Sequence, residues 1–530
     1  MIDSIEVHAT PEKVGEILML EGVYVRNKIV NSSLLMKSIL IGGFGLFAGL
    51  SNSYAADLVW SGNFRVEAVG IQNPELSSAE SNKTYLLDHL VLTPKIEIAD
   101  GVSLYSRLDV LNNSTFGISN DGVVHSVAGE VIGRGPGTGI SSSGGTSSTD
   151  TDDSNALAHT QRSAGIAVTS LYLSWAQEFG QLVVGRMPVQ YGLGINYNAG
   201  AGLFDHYIDT KDVIGYRVIF GNLSLFPILA KVNEGSLGAE DDVNDYILHV
   251  AYENPETELL MGLFYQVRVA TFAGNDTPLG GEIGGSGAVR TDGFRQTLVG
   301  LYSSQKVDDF KVGVEANLLS GGTGLNSAAG LGVDVNSYGI GAEVAWEPKT
   351  GPLSGILKLG IASGDDPDTK ESYEGFIFNR NYNVALLMFN HPLGQKDFFR
   401  TGLVRKQSGT QTDPAVQAAI PAVQNQIDTE ALSNAIYLAP TINYRSSEKI
   451  TYSGTFIYGM LNKDPIPNSS STAESLGFEI DISVSYRPFE RFTWTTEAGL
   501  LFPGEAWKGG DLKLDNKNAF GVISKAAISF

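Results

Sequence analysis

From Leu58 to its last residue the chain alternates apolar and polar positions with a period of two, the spacing of strands whose two faces meet different surroundings. Over 102–111, Val102, Leu104, Leu108 and Val110 fall on one face, and Ser103, Tyr105, Arg107 and Asp109 on the other. Over 475–488, Leu476, Phe478, Ile480, Ile482, Val484 and Tyr486 oppose Glu479, Asp481, Ser483, Ser485 and Arg487. The last segment places Phe520, Val522, Ala526, Ile528 and Phe530 together, broken only by Ser524. Read this way, the pattern predicts strands over 58–70, 86–98, 102–111, 166–178, 181–189, 212–221, 223–232, 243–253, 257–271, 293–305, 309–319, 335–347, 353–363, 432–445, 449–461, 475–488, 491–502 and 518–530. That is about eighteen, an even count as single-chain bacterial barrels require, with sixteen or twenty compatible with the weaker segments.

The links between these strands alternate in length. Ala99-Asp100-Gly101, Phe179-Gly180-Gln181, Gly221-Asn222, Asn254-Pro255-Glu256, Val307-Asp308, Pro348 to Pro352, Ser446-Ser447-Glu448 and Phe489-Glu490 read as tight turns. Longer links separate them, chiefly 112–165, 190–211, 272–292, 320–334 and 364–431. Every short turn therefore falls at the same end as the two termini, the loop sorting of a transmembrane antiparallel β-barrel with short periplasmic turns and long external loops. The apolar set is expected to face lipid and the charged set a wet lumen, because so many charges in a dry interior would cost too much. Trp60, Trp175 with Phe179, Tyr252, Trp346, Tyr444, Tyr486, Phe492 and Trp494 sit mostly beside the short turns, where an interfacial aromatic girdle belongs.

Composition narrows the field. The chain has 530 residues, no cysteine, 62 glycines and a formal charge of −22. Lack of cysteine excludes a disulfide scaffold and a thiolate metal site. The negative charge argues against nucleic acid as a partner. Mean hydropathy near zero is too polar for a helical membrane protein but suits a barrel, in which only alternate residues meet lipid. Residues 36–55 run from Met36-Lys37 through an apolar stretch to Ser51-Asn52-Ser53-Tyr54-Ala55, the layout of a signal peptide cleaved after Ala55. Residues 1–35 then read as an upstream extension from a misassigned start, with a genuine cytoplasmic extension as the alternative, and 56–530 as the barrel.

Strand parity assigns Arg65, Lys95, Arg107, Arg268, Lys311, Lys358, Arg487 and Lys525 to the lumen, with Glu67, Glu97, Asp109, Glu258, Glu315, Glu343, Glu479, Asp481 and Glu497. Arg65/Glu67, Lys95/Glu97 and Arg107/Asp109 are opposite charges two residues apart, suited to bracing the wall or to setting a transverse field at a constriction. Arg186 and Arg217 flank the link 190–211 with no acid partner on their own strands. They are the candidates for contact with an anionic solute.

A family resemblance rests on Leu182-Val183-Val184-Gly185-Arg186-Met187-Pro188-Val189-Gln190-Tyr191-Gly192, on Phe204-Asp205, and on Gly215-Tyr216-Arg217. These runs resemble short motifs of the alginate-export barrels, as does Ala362-Ser363-Gly364-Asp365 leading into Phe376-Ile377-Phe378. The resemblance implies an eighteen-stranded outer-membrane barrel and export of an acidic polysaccharide through a basic lumen. This chain departs from it in carrying as many acids as bases on the lumen face. The closing Phe530 resembles the targeting signal by which such barrels meet the barrel-assembly machinery.

The loops add less. Link 112–165, rich in Gly, Ser and Thr with Asp150, Asp152 and Asp153, reads as solvated and lacks a full calcium-ligand spacing. Link 364–431 contains Tyr382 to Phe389, too apolar for water, and is expected to fold into the mouth or pack on its rim. Asp413-Pro414 is placed to cap a short helix ended by Pro421. No G-x-S-x-G or H-E-x-x-H motif occurs, so no enzyme and no cofactor is expected. The sequence thus reads as a Gram-negative outer-membrane channel for ions and small hydrophilic or acidic solutes, surrounded by lipid, with an oligomer allowed. The alternative is a plugged barrel acting as a surface adhesin or structural anchor.

Overall fold

The computed structural model describes residues 57–79, 81–115, 166–233, 243–270, 293–326, 332–366, 369, 371–395, 431–464 and 473–530. The proposed signal peptide with Ala55, the link 112–165 beyond Thr115, and the Asp413-Pro414 segment lie outside them.

All the main strands pair antiparallel with their sequence neighbours. In chain order they are β1 (Asp57–Val59 continuing as Gly62–Gln72), β2 (Asn82–Leu92 and Lys95–Ala99), β3 (Val102–Thr115), β4 (Ile166–Gln177), β5 (Gly180–Pro188) and β6 (Thr210–Phe220). They continue as β7 (Leu223–Asn233), β8 (Val243–Asn254), β9 (Leu259–Ala270), β10 (Phe294–Val307), β11 (Phe310–Asn326) and β12 (Gly332–Trp346). The set ends with β13 (Leu353–Ala362), β14 (Ala435–Ser447), β15 (Ile450–Leu461), β16 (Ser475–Tyr486), β17 (Phe492–Pro503) and β18 (Ala519–Ser529). β18 pairs with β1, from Asn63 opposite Ser529 to Gln72 opposite Phe520, and closes an 18-stranded barrel. The break in β2 falls at Thr93-Pro94, where proline has no N–H to give the ladder. A two-residue strand, Ser372–Tyr373, adds parallel to β12 at its long-loop end.

The faces follow the alternation. Ile480 is 46% exposed and Ile214 60%, while their inward neighbours Glu479 and Val213 are buried. Phe64, Leu86, Ile166, Leu229, Leu301, Leu318 and Ile442 belong to the same outward set, an exposed apolar belt that suits lipid rather than water. At the short-turn end Trp60, Trp175, Phe179, Phe220, Trp346, Tyr444, Phe489 and Trp494 all project outward as a girdle. Trp494 Nε1 there donates to Ser524 Oγ at 2.9 Å. Backbone N–H and C=O of Phe530 pair with Gly62 at 3.0 Å, so the C-terminal residue is a full member of the seam.

The lumen is filled unevenly. Towards the long-loop end a large apolar cluster runs from Val69, Ile71 and Leu76 through Phe376, Phe378 and Val384 to Met388, and on to Leu476, Leu501 and Ile523. A second cluster gathers Tyr191, Tyr197, Val213, Phe226, Ile247 and Phe264 against β5–β10. Towards the short-turn end the inward residues keep partial exposure, among them Tyr172, Gln181, Arg217, Tyr302, Lys311 and Thr455. The interior is a packed upper half over a wet vestibule.

Candidate functional site, a constriction built by two inward loops

Residues 189–209, between β5 and β6, leave the wall and cross the lumen. Near the start, Tyr191 Oη donates to the Gly262 carbonyl at 3.0 Å and Tyr197 Oη to Gln266 at 2.7 Å, both on β9. The Ile195 N–H donates to Glu315 on β11 at 3.3 Å. The tip reaches the opposite wall. There Arg65 donates to the Asp205 carbonyl at 2.6 Å, Arg107 to the Gly200 carbonyl at 2.7 Å, and His206 meets Glu67 at 2.9 Å. The Lys525 ammonium lies over the Phe204 ring, 5.5 Å from its centre.

The second loop, 374–395, lines the other side. Three successive N–H groups point at two wall carboxylates. Leu386 donates to Asp481 at 2.9 Å, and Leu387 and Met388 donate to Glu479 at 2.7 and 2.8 Å. Carboxylates bound this way hold a backbone turn as an anion holds a nest of amides. The two loops also hold each other. Asn381 and Tyr207 exchange bonds of 2.8 and 3.1 Å, Asn379 Nδ2 donates to Asp209 at 2.7 Å, and the Asn379 N–H donates to the Ile195 carbonyl at 2.8 Å. The expectation that the apolar stretch Tyr382 to Phe389 packs in the mouth holds, and it packs deep inside.

Wall glycines make the room. A Cβ at Gly521 would lie 2.6 Å from Leu387, at Gly459 2.9 Å from the Met388 sulfur, at Gly300 2.8 Å from Tyr191, and at Gly339 2.4 Å from Phe376. All four face the lumen by parity. Glycines at inward positions, opposite apolar outward neighbours, are the signal in the sequence that these walls receive loop side chains.

Sequence-assigned residues divide by place. The three i, i+2 pairs form: Arg65–Glu67 and Lys95–Glu97 at 3.0 Å, and Arg107–Asp109 at 3.1 Å. Asp109 also accepts from His89 and from Thr169, which makes a buried network behind the first loop's tip. Arg268 and Lys211 share Asp245 at 2.8 and 2.6 Å high in the wall, and both are buried. Glu315, Glu479 and Asp481 hold loops. Lys358–Glu343 at 3.4 Å and Lys525–Glu497 at 2.7 Å keep 17–27% exposure and border the wet half. Lys95, Glu97 and Lys311 lie nearer the short-turn mouth.

Three expectations are corrected. Arg186 is not a lumenal, unpaired arginine. It stands on the outer face, 51% exposed, in a two-pronged pair with Asp212, each bond 2.7 Å. The partner lay on the adjacent strand, directly opposite in register, which a search along one strand misses. Glu258 has φ of +50° in the exposed turn before β9, and Arg487 follows the end of β16 in another exposed turn, its N–H bonded to the Lys449 carbonyl. Neither is a mid-lumen group. Arg217 does face the lumen, but its guanidinium lies over the Phe226 ring at 4.8 Å, with no carboxylate partner among the described residues. Sequence reasoning missed Arg380, which sits at the junction of the two loops over the Tyr207 ring at 5.0 Å. It also missed the Asn379/Asn381 clamp. Burial pushes the Asp205 carboxyl at the first loop's tip upward, against the pull of the Gly202 N–H, Arg65 and Arg107.

Several solved barrels are similar in overall form. OccK9 (OpdG) of Pseudomonas aeruginosa is 12% identical over 89% of this chain and 99% of its own, with a TM-score of 0.46. OccK2 (OpdF) of the same organism, in complex with glucuronate, is 10% identical over 89% and 98%, with a TM-score of 0.45. OmpT of Vibrio cholerae, with its loop L8 deleted, is 10% identical over 90% and 100%, with a TM-score of 0.34. No protein-family model matches the chain, and no curated protein does.

Proposed function

We propose that this chain is an outer-membrane channel of a Gram-negative bacterium through which small hydrophilic solutes, anions preferred, pass by diffusion. The observation that carries the reading is the change of exposure along the lumen wall. The same inward faces that are buried under the loops become wet below them, and the boundary is marked by Lys358, Glu343, Lys525, Glu497 and Arg380. A solute entering from the short-turn side meets a charged constriction built by the tips of both loops. The preference for anions follows from how the acids are employed. Glu315 and Glu479 bind loop amides, and Glu67, Asp109 and Asp245 bind buried bases. Arg217, Arg380, Lys311, Lys358 and Lys525 keep partial exposure to the vestibule. Lys358 and Lys525 are balanced there by Glu343 and Glu497, and the base left to meet a solute is Arg217, with no carboxylate partner among the described residues, although the chain as a whole is acidic. Phe530, seated in the seam, serves in this reading as the assembly signal.

Resemblance to the alginate-export barrels would extend the cargo to an acidic polysaccharide. Two loops tied across the lumen favour a single small solute over a polymer. The same fill supports a second reading, a closed barrel that acts as an adhesin or anchor. Single-channel recording of the refolded barrel in a planar bilayer, with reversal potentials in a salt gradient, decides between them. Discrete openings with chloride favoured over potassium support the channel. A folded barrel that never conducts moves the anchor to first place, and cation preference overturns the assignment of the bases.

A further inference from the structure

Below the first loop, the inward wall of β5–β9 gathers donor groups around one phenylalanine. Phe226 on β7 is buried, and the register places Arg217 of β6 on one side of it and His249 of β8 on the other. Gly215 leaves room for the ring, since a Cβ there would stand 2.7 Å from it. Arg217 lies two residues nearer the short turns, and its guanidinium, 4.8 Å from the ring centre, covers the ring on the vestibule side. Leaning over Phe226 in this way, it stands one strand from His249, about 5 Å at the usual spacing. Rings fix His249 in place. Tyr191 of the first loop meets it edge-on at 5.8 Å, and Phe264 of β9 lies at 6.2 Å. Neither Arg217 nor His249 has a hydrogen-bond partner among the described residues, and both are partly exposed. The inward positions beside them, Gln181, Gly215, Ser224, Ile228, Ile247 and Ala251, carry no charge. The nearest acids on β8, Asp245 and Glu253, stand four residues from His249 on either side, about 13 Å along the strand. Asp245 is held by Lys211 and Arg268.

We propose that Arg217 and His249 form a subsite for a tetrahedral oxyanion, phosphate either free or as a monoester, on the path of the anion. This assignment rests on the channel reading above and names the solute it favours. A guanidinium fork takes two oxygens of an anion at once. The imidazole N–H one strand away then calls for a third oxygen, which a phosphoryl group has and a carboxylate lacks. The Gln181 amide nitrogen is given to Ser174 at 2.7 Å, so the added donor is His249 and not Gln181. Phe226 and the uncharged positions around it keep water from one side of the guanidinium, which strengthens the bonds it makes. Each charge-assisted bond contributes roughly tenfold in affinity. Tyr191 packs against His249 from the loop side, so a solute held here lies directly under the constriction.

The test is isothermal titration calorimetry of the full chain, refolded in a neutral detergent at neutral pH, with inorganic phosphate, glycerol 1-phosphate and acetate. The parent should bind at least one of the two phosphates about tenfold more tightly than acetate, and the tighter of the two identifies the form taken. His249→Gln should weaken phosphate about tenfold and leave acetate unchanged, because the fork alone holds a carboxylate. Arg217→Lys, which keeps the charge and loses the fork, should weaken both. Arg186→Gln, on the outer face, should change neither. Acetate bound as tightly as phosphate, phosphate binding untouched in His249→Gln, or an equal loss in Arg186→Gln would each overturn the proposal. Bilayer recording separates this site from the channel reading. Chloride-selective openings without a phosphate preference in calorimetry would overturn the site alone, and phosphate bound with these variant effects by a barrel that never conducts would support the site and overturn the channel.

Discussion

The N–H of Leu387 donates to the carboxylate of Glu479 at 2.7 Å, in the middle of the barrel and out of reach of water. A strand residue that sequence parity marks as a lumenal charge thus acts as the seat of a loop. Glu315 does the same for the first loop through Ile195. In both cases an acid on the wall meets amides that a turn leaves without partners, which resolves two desolvation costs together.

Glu479→Ala should release the second loop. It would orphan the N–H groups of Leu387 and Met388, and a buried donor left unmade costs about 1–3 kcal/mol. Single-channel conductance of this variant should exceed that of the parent, with noisier open states. Glu479→Gln keeps one acceptor oxygen and should fall between. An unchanged conductance for the alanine variant would show that this loop does not limit flow.

Gly521→Val should displace the same loop by contact alone. The new Cβ would stand 2.6 Å from a Leu387 methyl, and Leu387 is itself fully buried. Overpacking of this kind costs about 1–3 kcal/mol. Gly454 faces outward with nothing within 4 Å, so Gly454→Val is the control and should leave stability within about 0.5 kcal/mol. Urea midpoints in detergent measure both. Equal effects at the two positions would mean that the loop yields freely.

Arg217→Ala and Arg107→Ala should separate selectivity from structure. Arg217 has a ring beneath it and no carboxylate among the described residues, so its loss should shift the reversal potential towards cations at little cost in stability. Arg107 holds Asp109 and the Gly200 carbonyl. Removing it leaves a buried carboxylate short of a partner, at a cost of about 3–5 kcal/mol. The unfolding midpoint of the second variant should drop well below that of the first, and the reverse order would invalidate this division.

The strands were legible because each has an apolar outer face and a different, lumenal one, and a period of two records that contrast directly. Closure, loop sorting and the outward direction of Ile482 or Leu301 follow from it. Pairs within one strand, such as Arg65 with Glu67, were legible for the same reason. What parity cannot hold is register. Arg186 met Asp212 because β5 and β6 align those two positions, and nothing along either strand says so. Loop chemistry was hidden further, since Arg380 and Asn381 take their places only after the loop has turned inward. The inward glycines at 300, 339, 459 and 521 were visible, but their meaning needed the side chains that fill them.

The first loop's tip should loosen as pH rises. Burial lifts the Asp205 carboxyl above its ordinary value of 3.8, so the folded barrel binds that proton more tightly than the unfolded chain does. The sign is then fixed. Its contribution is fully present below 3.8 and is lost as pH climbs through the raised value, because ionisation is harder in the folded state. Asp205→Asn keeps an oxygen to accept the Gly202 N–H and removes the charge. The difference in urea midpoint between variant and parent should therefore grow in the variant's favour from acid to neutral pH. Taking that difference cancels the titration of groups common to both proteins. A difference that stays constant with pH, or that favours the parent above neutrality, would show that Arg65 and Arg107 outweigh burial at this carboxyl.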